Sequence, residues 1–223
     1  MRLLLSYPLT CASPLYPGTP PCRVEENRSL ERGDSATTSI LSLSSHAGTH
    51  LDFPRHFCAG GADLMDLISS EEIIAPVYCR DIPVDGGGPV TPSMVAEAVE
   101  GAGDARGILI RTGSFRDRSR HPDRYAREHP WIHPDVPGVL RRLCPHLRLF
   151  GTDTISVATP LHREAGRAAH RGFLCGSPAI MLLEDANLAD VRLTEGAWRL
   201  WCYPLVYERL DGIPVLVLGE PIE

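Results

Sequence analysis

The stretch His46-Ala47-Gly48-Thr49-His50-Leu51-Asp52-Phe53-Pro54-Arg55-His56 is the most informative part of this chain. It contains three histidines and one aspartate, in a 223-residue sequence that has nine histidines in all. Imidazole and carboxylate groups bind borderline divalent metals and transfer protons near neutral pH. The stretch therefore predicts a metal site. The competing interpretation is a polar surface loop with incidental histidines.

The spacing of these side chains favours an extended but bent backbone. All four occupy even-numbered positions, which share one face of a strand. A helix would place Asp52 about 200° away from His50, and it is disfavoured by the glycine of Ala47-Gly48 and the proline of Phe53-Pro54. A straight strand of this length would span roughly 33 Å, too far for one ion. We therefore expect bends at those two pairs.

The overall composition indicates one globular domain, residues 1–223, with a substantial core. The net charge of -6 and the pI near 5.8 argue against a nucleic-acid partner. No stretch approaches the roughly 20 apolar residues of a membrane helix, and the apolar start of the chain is too short for a signal peptide. The seven cysteines form no C-x-x-C pair, so we expect free thiols and a cytoplasmic location.

Strands and helices mix without a regular βαβ alternation, which predicts an α/β fold with a mixed sheet. Expected strands cover 37–44, 77–82, 107–111, 147–150 and 179–183. Expected helices cover 93–100, capped by Thr91, and 134–144. Residues 203–218 are expected to form a hairpin that turns at Asp211-Gly212. The proline-rich segment 7–21 is expected to lie extended over the surface or in a partner.

The later part of the chain offers further ligand candidates. Glu184 ends an apolar strand, and a carboxylate buried there needs a partner such as a metal or a salt bridge. His170 and His162 are the candidate imidazoles, with an exposed loop histidine as the alternative for His170. Asp153 is expected to hold a turn.

Four pieces of sequence resemble the cyclase family of metal-dependent hydrolases, which includes kynurenine formamidases and isatin hydrolases. Residues 46–56 are similar to the family pattern H-x-G-T-H-x-D-x-P-x-H. The other pieces are Arg111-Thr112-Gly113, the run from Gly151 to Ser156, and a histidine followed by a strand ending in glutamate, here His170 and Glu184. The pieces come in family order and span nearly the whole chain.

The resemblance implies a zinc or manganese centre with one or two ions. The implied ligands are His46, His50 and Asp52 for a first ion, and Asp52, His170 and Glu184 for a second. His56 is implied as the proton donor and acceptor. The resemblance also implies a swivelling β/β/α fold and a homodimer or larger homo-oligomer, with the N-terminal segment near a neighbouring active site.

The expected activity is hydrolysis of an amide C–N bond, in an aryl formamide or a cyclic amide, by metal-activated water. His56 fits the proton shuttle; if it is a ligand instead, Glu184 takes that role. One alternative is a biosynthetic cyclase or dehydratase in which the metal polarises a substrate carbonyl. Another is a metal-binding module without catalysis, although structural zinc sites are usually rich in cysteine.

Two aromatic residues are candidates for contact with a small-molecule substrate. Tyr16 precedes Pro17-Gly18, and at this position the family's formamidases have a tryptophan in the substrate pocket. A second difference from those formamidases is that His170 is followed by an arginine, whereas they have a second histidine there. Phe53 is expected either to line an apolar pocket or to join the core.

Segment 114–129 holds five arginines: Arg116, Arg118, Arg120, Arg124 and Arg127. This run predicts either a solvated surface loop or a mobile lid that attracts a carboxylate substrate.

Overall fold

Twelve strands are present in the computed structural model, which describes residues 1–67 and 73–222. They are β1 (Leu3–Leu4), β2 (Arg23–Arg28), β3 (Thr38–Ser42), β4 (His50–Asp52), β5 (Ile73–Asp81), β6 (Pro89–Val90), β7 (Gly107–Arg111), β8 (Trp131–Ile132), β9 (Leu149–Thr152), β10 (Met181–Glu184), β11 (Trp198–Pro204) and β12 (Gly212–Pro221).

Short helices surround these strands. They are α1 (Leu64–Leu67), α2 (Pro92–Ala98), α3 (Phe115–Arg120), α4 (Pro122–Arg127), α5 (Val136–Leu143) and α6 (Arg163–Leu174). Single 3-10 turns occur at Leu30–Arg32, Pro54–His56, Pro160–His162 and Val191–Thr194. Within the described ranges, no helix has the length and apolar character needed to cross a membrane.

A closed, barrel-like mixed sheet forms the centre of the fold. Strands β5, β7, β9 and β10 are parallel neighbours, and β4 joins β10 in the antiparallel sense. The long strand β12 closes the ring, because it pairs with β11 along one edge and with β4 along the other, while β11 pairs with β5. Strand β1 adds to β12. The prediction of a single-domain α/β fold with a mixed sheet is therefore confirmed.

Alternation along the strands divides the core into two clusters. Leu109 packs on one face of the sheet with Leu51, Phe53 and other strand residues. Its neighbours Ile108 and Ile110 pack on the other face with residues of α2, α5 and α6. Successive side chains of a strand point to opposite faces, so β7 contributes to both clusters.

Most expected elements are present with shifted ends. Helix α2 begins at Pro92, and its N-cap Thr91 accepts a hydrogen bond from the backbone N–H of Met94. The hairpin of β11 and β12 is also present, but its turn was predicted wrongly. The connection spans residues 205–211, and Gly212 is the first residue of β12.

Strand β3 does not join the main sheet. It pairs with β2 in a separate two-stranded ribbon, and every residue of both strands is exposed. Isolated two-stranded hairpins are marginally stable in water.

The expectation that all thiols are free was wrong for two of the seven cysteines. Cys58 and Cys175 form a disulfide across 117 residues. Cys58 follows the 3-10 turn Pro54–His56, and Cys175 caps the C-terminus of α6. The bond therefore ties the end of the histidine-rich stretch to the helix that carries His170. Spacing alone does not reveal a pair so distant in sequence.

Candidate metal and catalytic centre

Strand β4 holds the centre of the site because it is paired on both sides. Its partner β10 places Glu184 directly opposite His50 in the antiparallel ladder. His50 and Asp52 are two residues apart and share one face, while Leu51 points to the core. Antiparallel partners directly opposite each other bring their side chains into contact, so this pairing joins the histidine-rich stretch to Glu184.

The turn before β4 brings His46 back toward Asp52. Gly48 adopts φ +66°, a left-handed conformation that glycine tolerates without strain. Gly212 leaves room for the ring of His46, because a Cβ at this position would lie 2.6 Å from Cε1 of His46 and 2.9 Å from the carbonyl oxygen of Leu51. The expected bend at Ala47-Gly48 is confirmed, and the 3-10 turn at Pro54–His56 confirms the second one.

Four side chains form an inner group that is almost fully buried. His50 Nε2 lies 3.3 Å from Asp52 Oδ1 and 3.4 Å from Glu184 Oε2. His170 Nε2 lies 3.6 Å from Asp52 Oδ2 and 3.5 Å from Glu184 Oε1. The Nδ1 atoms of both histidines lie 2.8 Å from backbone carbonyl oxygens, those of Gly48 and Gly166. Nδ1–H donation to these carbonyls directs Nε2 of each ring toward the carboxylates.

An outer group adjoins the inner one through Asp52. His46 Nδ1 lies 2.8 Å from Asp52 Oδ1, and His46 Nε2 lies 2.9 Å from Asp211 Oδ2. The same Asp211 oxygen lies 3.1 Å from Nδ1 of His56, whose ring centroid is 4.2 Å from that of His46. Ser45 Oγ donates a hydrogen bond to the other Asp211 oxygen. Asp211 thus holds two histidines of the motif in place.

Throughout the cluster, contacts between opposite charges together shift the pKa values more than burial does. Burial lowers the pKa of His46, but hydrogen bonds with Asp211 and Asp52 raise it to about 9. Burial likewise lowers the pKa of His50, and carboxylate contacts raise it well above its usual value. Burial and the Asp52 charge raise the pKa of Glu184, whereas histidine contacts lower it to about 2. The buried carboxylates of Asp52 and Glu184 therefore require positive charge close by.

The donor set fits a divalent metal. His50 Nε2 and Asp52 Oδ2 are buried and have no hydrogen-bond partner among the described residues. Ligand atoms lie within 4.8 Å of one another in two groups that share Asp52: His46, Asp52 and His56, and His50, Asp52 and Glu184. Imidazole nitrogen and carboxylate oxygen are ligands that suit zinc and manganese. A cation between them would satisfy both the orphaned atoms and the charge.

A cavity of about 520 Å³ opens beside this cluster. His46, His50, His56, His170 and Glu184 contribute to its lining. Residues 16–20 form another part of its wall, so the proline-rich segment lies along the chain's own site. The size is suitable for a small molecule.

The structure brings together all six predicted metal and proton-transfer residues: His46, His50, Asp52, His56, His170 and Glu184. Tyr16 also lines the cavity. His162, the competing ligand candidate, lies apart from the cluster and packs against Trp131. Asp153 holds a turn as predicted, since its buried carboxylate accepts hydrogen bonds from the backbone N–H groups of Thr112 and Gly113.

Phe53 does not reach the cavity, so its assignment as a substrate contact is corrected. Its side chain is 1% exposed and packs in the core cluster with Leu51. The reason is positional: odd-numbered residues here lie on the face opposite His50 and Asp52.

The arginine-rich segment 114–129 is mainly helical rather than a loop. It forms α3 and α4, and none of its arginines contributes to the cavity lining given by the described residues. Arg118 instead forms a two-point ion pair with the buried Asp185, at 2.7 Å for each contact. Tyr125 donates a further hydrogen bond to Asp185. Segment 114–129 therefore supports the residue next to Glu184 from behind.

Sequence reasoning missed Asp211, the hydrogen-bond partner of His46 and His56. The Asp211-Gly212 pair was interpreted as a turn, and no spacing rule links it to a motif 165 residues earlier. Ser156 was also missed as a contact of Glu184, whose Oε1 accepts hydrogen bonds from Ser156 Oγ and the Val157 N–H.

A buried cluster of histidine and carboxylate ligands, open to a cavity on a mixed α/β sheet, defines a metal-dependent class of protein. A family model described as "Putative cyclase" matches residues 3–159. The chain belongs to this cyclase family. A kynurenine formamidase from Bacillus cereus is 30% identical over 220 residues, which cover 98% of this chain and 96% of that protein.

Solved structures share the fold. Isatin hydrolase A from Labrenzia aggregata, bound to benzyl benzoate, has a TM-score of 0.80 at 21% identity and covers 100% of this chain and 94% of its own. A predicted metal-dependent hydrolase from Bacillus stearothermophilus has a TM-score of 0.74 at 20% identity and covers 98% and 97%. At these identities the likeness concerns the fold alone.

The shared position of Asp52 generates a test of metal binding. Asp52→Asn should weaken zinc binding at least about tenfold, because a neutral amide replaces the carboxylate common to both ligand groups. Binding is measured by titration of chelator-treated protein, with elemental analysis of the reloaded sample. The matched control is Asp190→Asn, which alters a surface carboxylate paired with Arg192. Equal zinc affinity in wild type and Asp52→Asn would contradict the assignment.

Proposed function

We propose that this protein is a metal-dependent amidohydrolase that cleaves the C–N bond of an aryl formamide or a cyclic amide. The observation that carries the proposal is the convergence of six polar side chains on one cluster, five of which line the 520 Å³ cavity while Asp52 is buried among them. The 30% identity to a kynurenine formamidase over nearly the full chain supports an amide substrate.

Five residues are proposed as metal ligands: His46, His50, Asp52, His170 and Glu184. Zinc or manganese, as one or two ions, suits this mixture of imidazole and carboxylate. A divalent ion held by these groups would lower the pKa of a water molecule and polarise the amide carbonyl.

His56 is proposed as the proton shuttle. Asp211 orients its ring through Nδ1, which leaves Nε2 as the atom that exchanges protons. In the proposed reaction His56 accepts a proton from the attacking water as the new C–O bond forms. It then donates that proton to the amide nitrogen as the C–N bond breaks.

Tyr16 is proposed to contact the substrate from the part of the cavity wall formed by residues 16–20. Burial raises the pKa of Tyr16, and the Glu184 charge adds to this effect, so the phenol stays protonated as a hydrogen-bond donor. Phe57, which stacks on His170 with ring centroids 4.5 Å apart, gives the cavity an apolar surface beside the ligands.

Hydrolysis is tested directly by product mass. The zinc- or manganese-loaded protein should convert formanilide or N-formylkynurenine to the amine and formate, and isatin to a product heavier by one water. Chelation should abolish the reaction and either metal should restore it, because in the proposed mechanism the metal ion activates the attacking water. Mass spectrometry distinguishes the outcomes. Turnover without addition of water would instead indicate a cyclase or dehydratase.

Replacement of His56 separates a shuttle from a ligand. His56→Ala should retain most of the metal and lose kcat by roughly 10²–10⁴-fold, the usual contribution of general acid–base catalysis. Elemental analysis and steady-state kinetics are measured on the same sample. His133→Ala, at a half-buried histidine outside the cavity, is the control. Metal loss parallel to the rate loss would make His56 a ligand.

A homodimer or larger homo-oligomer is proposed from the exposed ribbon of β2 and β3. Val24, Ile40 and Leu41 on this ribbon are 59%, 54% and 58% exposed. A two-stranded ribbon with apolar side chains needs a packing partner for stability. A second copy of the chain is the proposed partner.

Charge placed on the ribbon tests the oligomer. Ile40→Asp should shift the protein toward monomer in light scattering coupled to size-exclusion chromatography, because a carboxylate in an apolar interface is costly. Val191→Asp, at an equally exposed apolar residue elsewhere, should not change the mass. A wild-type protein that is already monomeric would contradict the proposal.

We also propose that residues 1–223 form one domain of the swivelling β/β/α type and that the protein is cytoplasmic. The eight-stranded main sheet, which includes both the first strand β1 and the last strand β12, supports the first statement. Five free cysteines, four of them buried, support a reducing location.

A further inference from the structure

Two arginines of α6 line the cavity together with the ligand cluster. Arg163, Arg167 and His170 lie at positions i, i+4 and i+7 of this helix, a spacing that places them on one face. His170 meets Asp52 and Glu184, while both arginines contribute to the cavity wall. One face of α6 therefore carries His170, a proposed metal ligand, and the two positively charged arginine side chains.

The position of α6 fixes this arrangement. A Cβ on Gly166 would lie 2.3 Å from the Cβ of Ala158, so the helix packs directly on the cavity wall to which Ala158 belongs. The Cys58–Cys175 disulfide restrains its other end. The helical rise separates Arg167 from His170 by about 4.5 Å and Arg163 from His170 by about 10 Å along the axis. The cations thus stand one to two turns away from the ligand cluster.

The protein places little negative charge beside these two arginines. Within residues 1–67 and 73–222, Arg163 has no ion-pair partner, and as the first residue of α6 it lies at the positive end of the helix dipole. Arg167 pairs at 2.8 Å with Glu164, but the two side chains are 55% and 82% exposed, and such surface pairs contribute little.

Both arginines act electrostatically on the cavity interior. The pKa of Tyr16 is raised by burial, and the charges of Arg163 and Arg167 partly oppose that rise. Glu184 acts on the same phenol with the opposite sign. Tyr16 therefore lies near both Glu184 and the two arginines, and Pro17 and Ile155 add apolar lining.

We infer that Arg163 and Arg167 bind a carboxylate on the substrate, so that the site prefers an anionic amide to its neutral analogue. The reacting amide would lie at the histidine cluster, an apolar segment would pass Tyr16, and the carboxylate would meet the guanidinium groups, which suit carboxylate geometry. The inference rests on the proposed amide hydrolysis and adds the charge of the substrate.

A matched pair of substrates provides the kinetic test. 4-Formamidobenzoate and 4-formamidobenzamide have nearly the same shape and differ in charge. The wild-type ratio of kcat/KM for the acid over the amide should exceed one, and Arg163→Gln/Arg167→Gln should lower this ratio about tenfold, chiefly through KM. Lysine at both positions should restore part of the preference, because it keeps the charge without the planar fork.

Arg171→Gln supplies the control on the same helix. Arg171 is exposed and lies outside the cavity lining, so the variant changes net charge without altering the proposed contact. The ratio in Arg171→Gln should equal that of the wild type. A ratio near one in the wild type, or an equal fall in Arg171→Gln, would overturn the inference while leaving amide hydrolysis in place.

Binding to the metal-free protein makes the inference independent of catalysis, since a carboxylate would otherwise bind the metal. Calorimetry should give tighter binding of 4-formamidobenzoate than of 4-formamidobenzamide, and the double glutamine variant should lose that difference. This result without any turnover would reject amide hydrolysis and keep the anion site. Equal affinities for the two compounds would reject the anion site.

Discussion

Two buried carboxylates, Asp52 and Glu184, impose the constraint on which the rest of the site depends. Ionised carboxylates in a protein interior are costly unless positive charge lies beside them. Asp52 is 0% and Glu184 is 3% exposed, and each contacts His50 and His170. Imidazolium groups meet this need in part, and a divalent cation would meet it with the orphaned nitrogen and oxygen atoms as ligands. Metal binding and local stability thus depend on the same requirement, which is the compensation of two buried negative charges.

The closed sheet is what makes that arrangement possible. Strand β4 has only three residues, yet it is hydrogen-bonded to β10 and β12 at once. One partner supplies Glu184 and the other begins at Gly212, which leaves room for His46. The preceding residue, Asp211, then reaches His46 and His56. Closure of the ring therefore fixes both the ligands and the residue that orients them.

The cavity wall carries groups of both charges. The ligand cluster and the arginines of α6 both line it, together with Tyr16. Arg118 of segment 114–129 has a different role, since it neutralises Asp185, the residue next to Glu184. The arginine-rich segment 114–129 and the arginines that line the cavity are thus separate features. The arginines of the cavity wall lie on one face of helix α6.

The sequence by itself determined the local features of this protein. The parity of residues 46–56 placed His50 and Asp52 on one face, and glycine and proline set the two bends. The same parity places Phe53 on the core side, which the expectation of a substrate contact overlooked. Only the tertiary structure decided that Asp211 joins His46, that Cys58 meets Cys175, and that Arg163 lines the cavity. Local periodicity reports which face a side chain occupies, whereas contacts across 100 residues or more depend on how the sheet closes and where α6 packs.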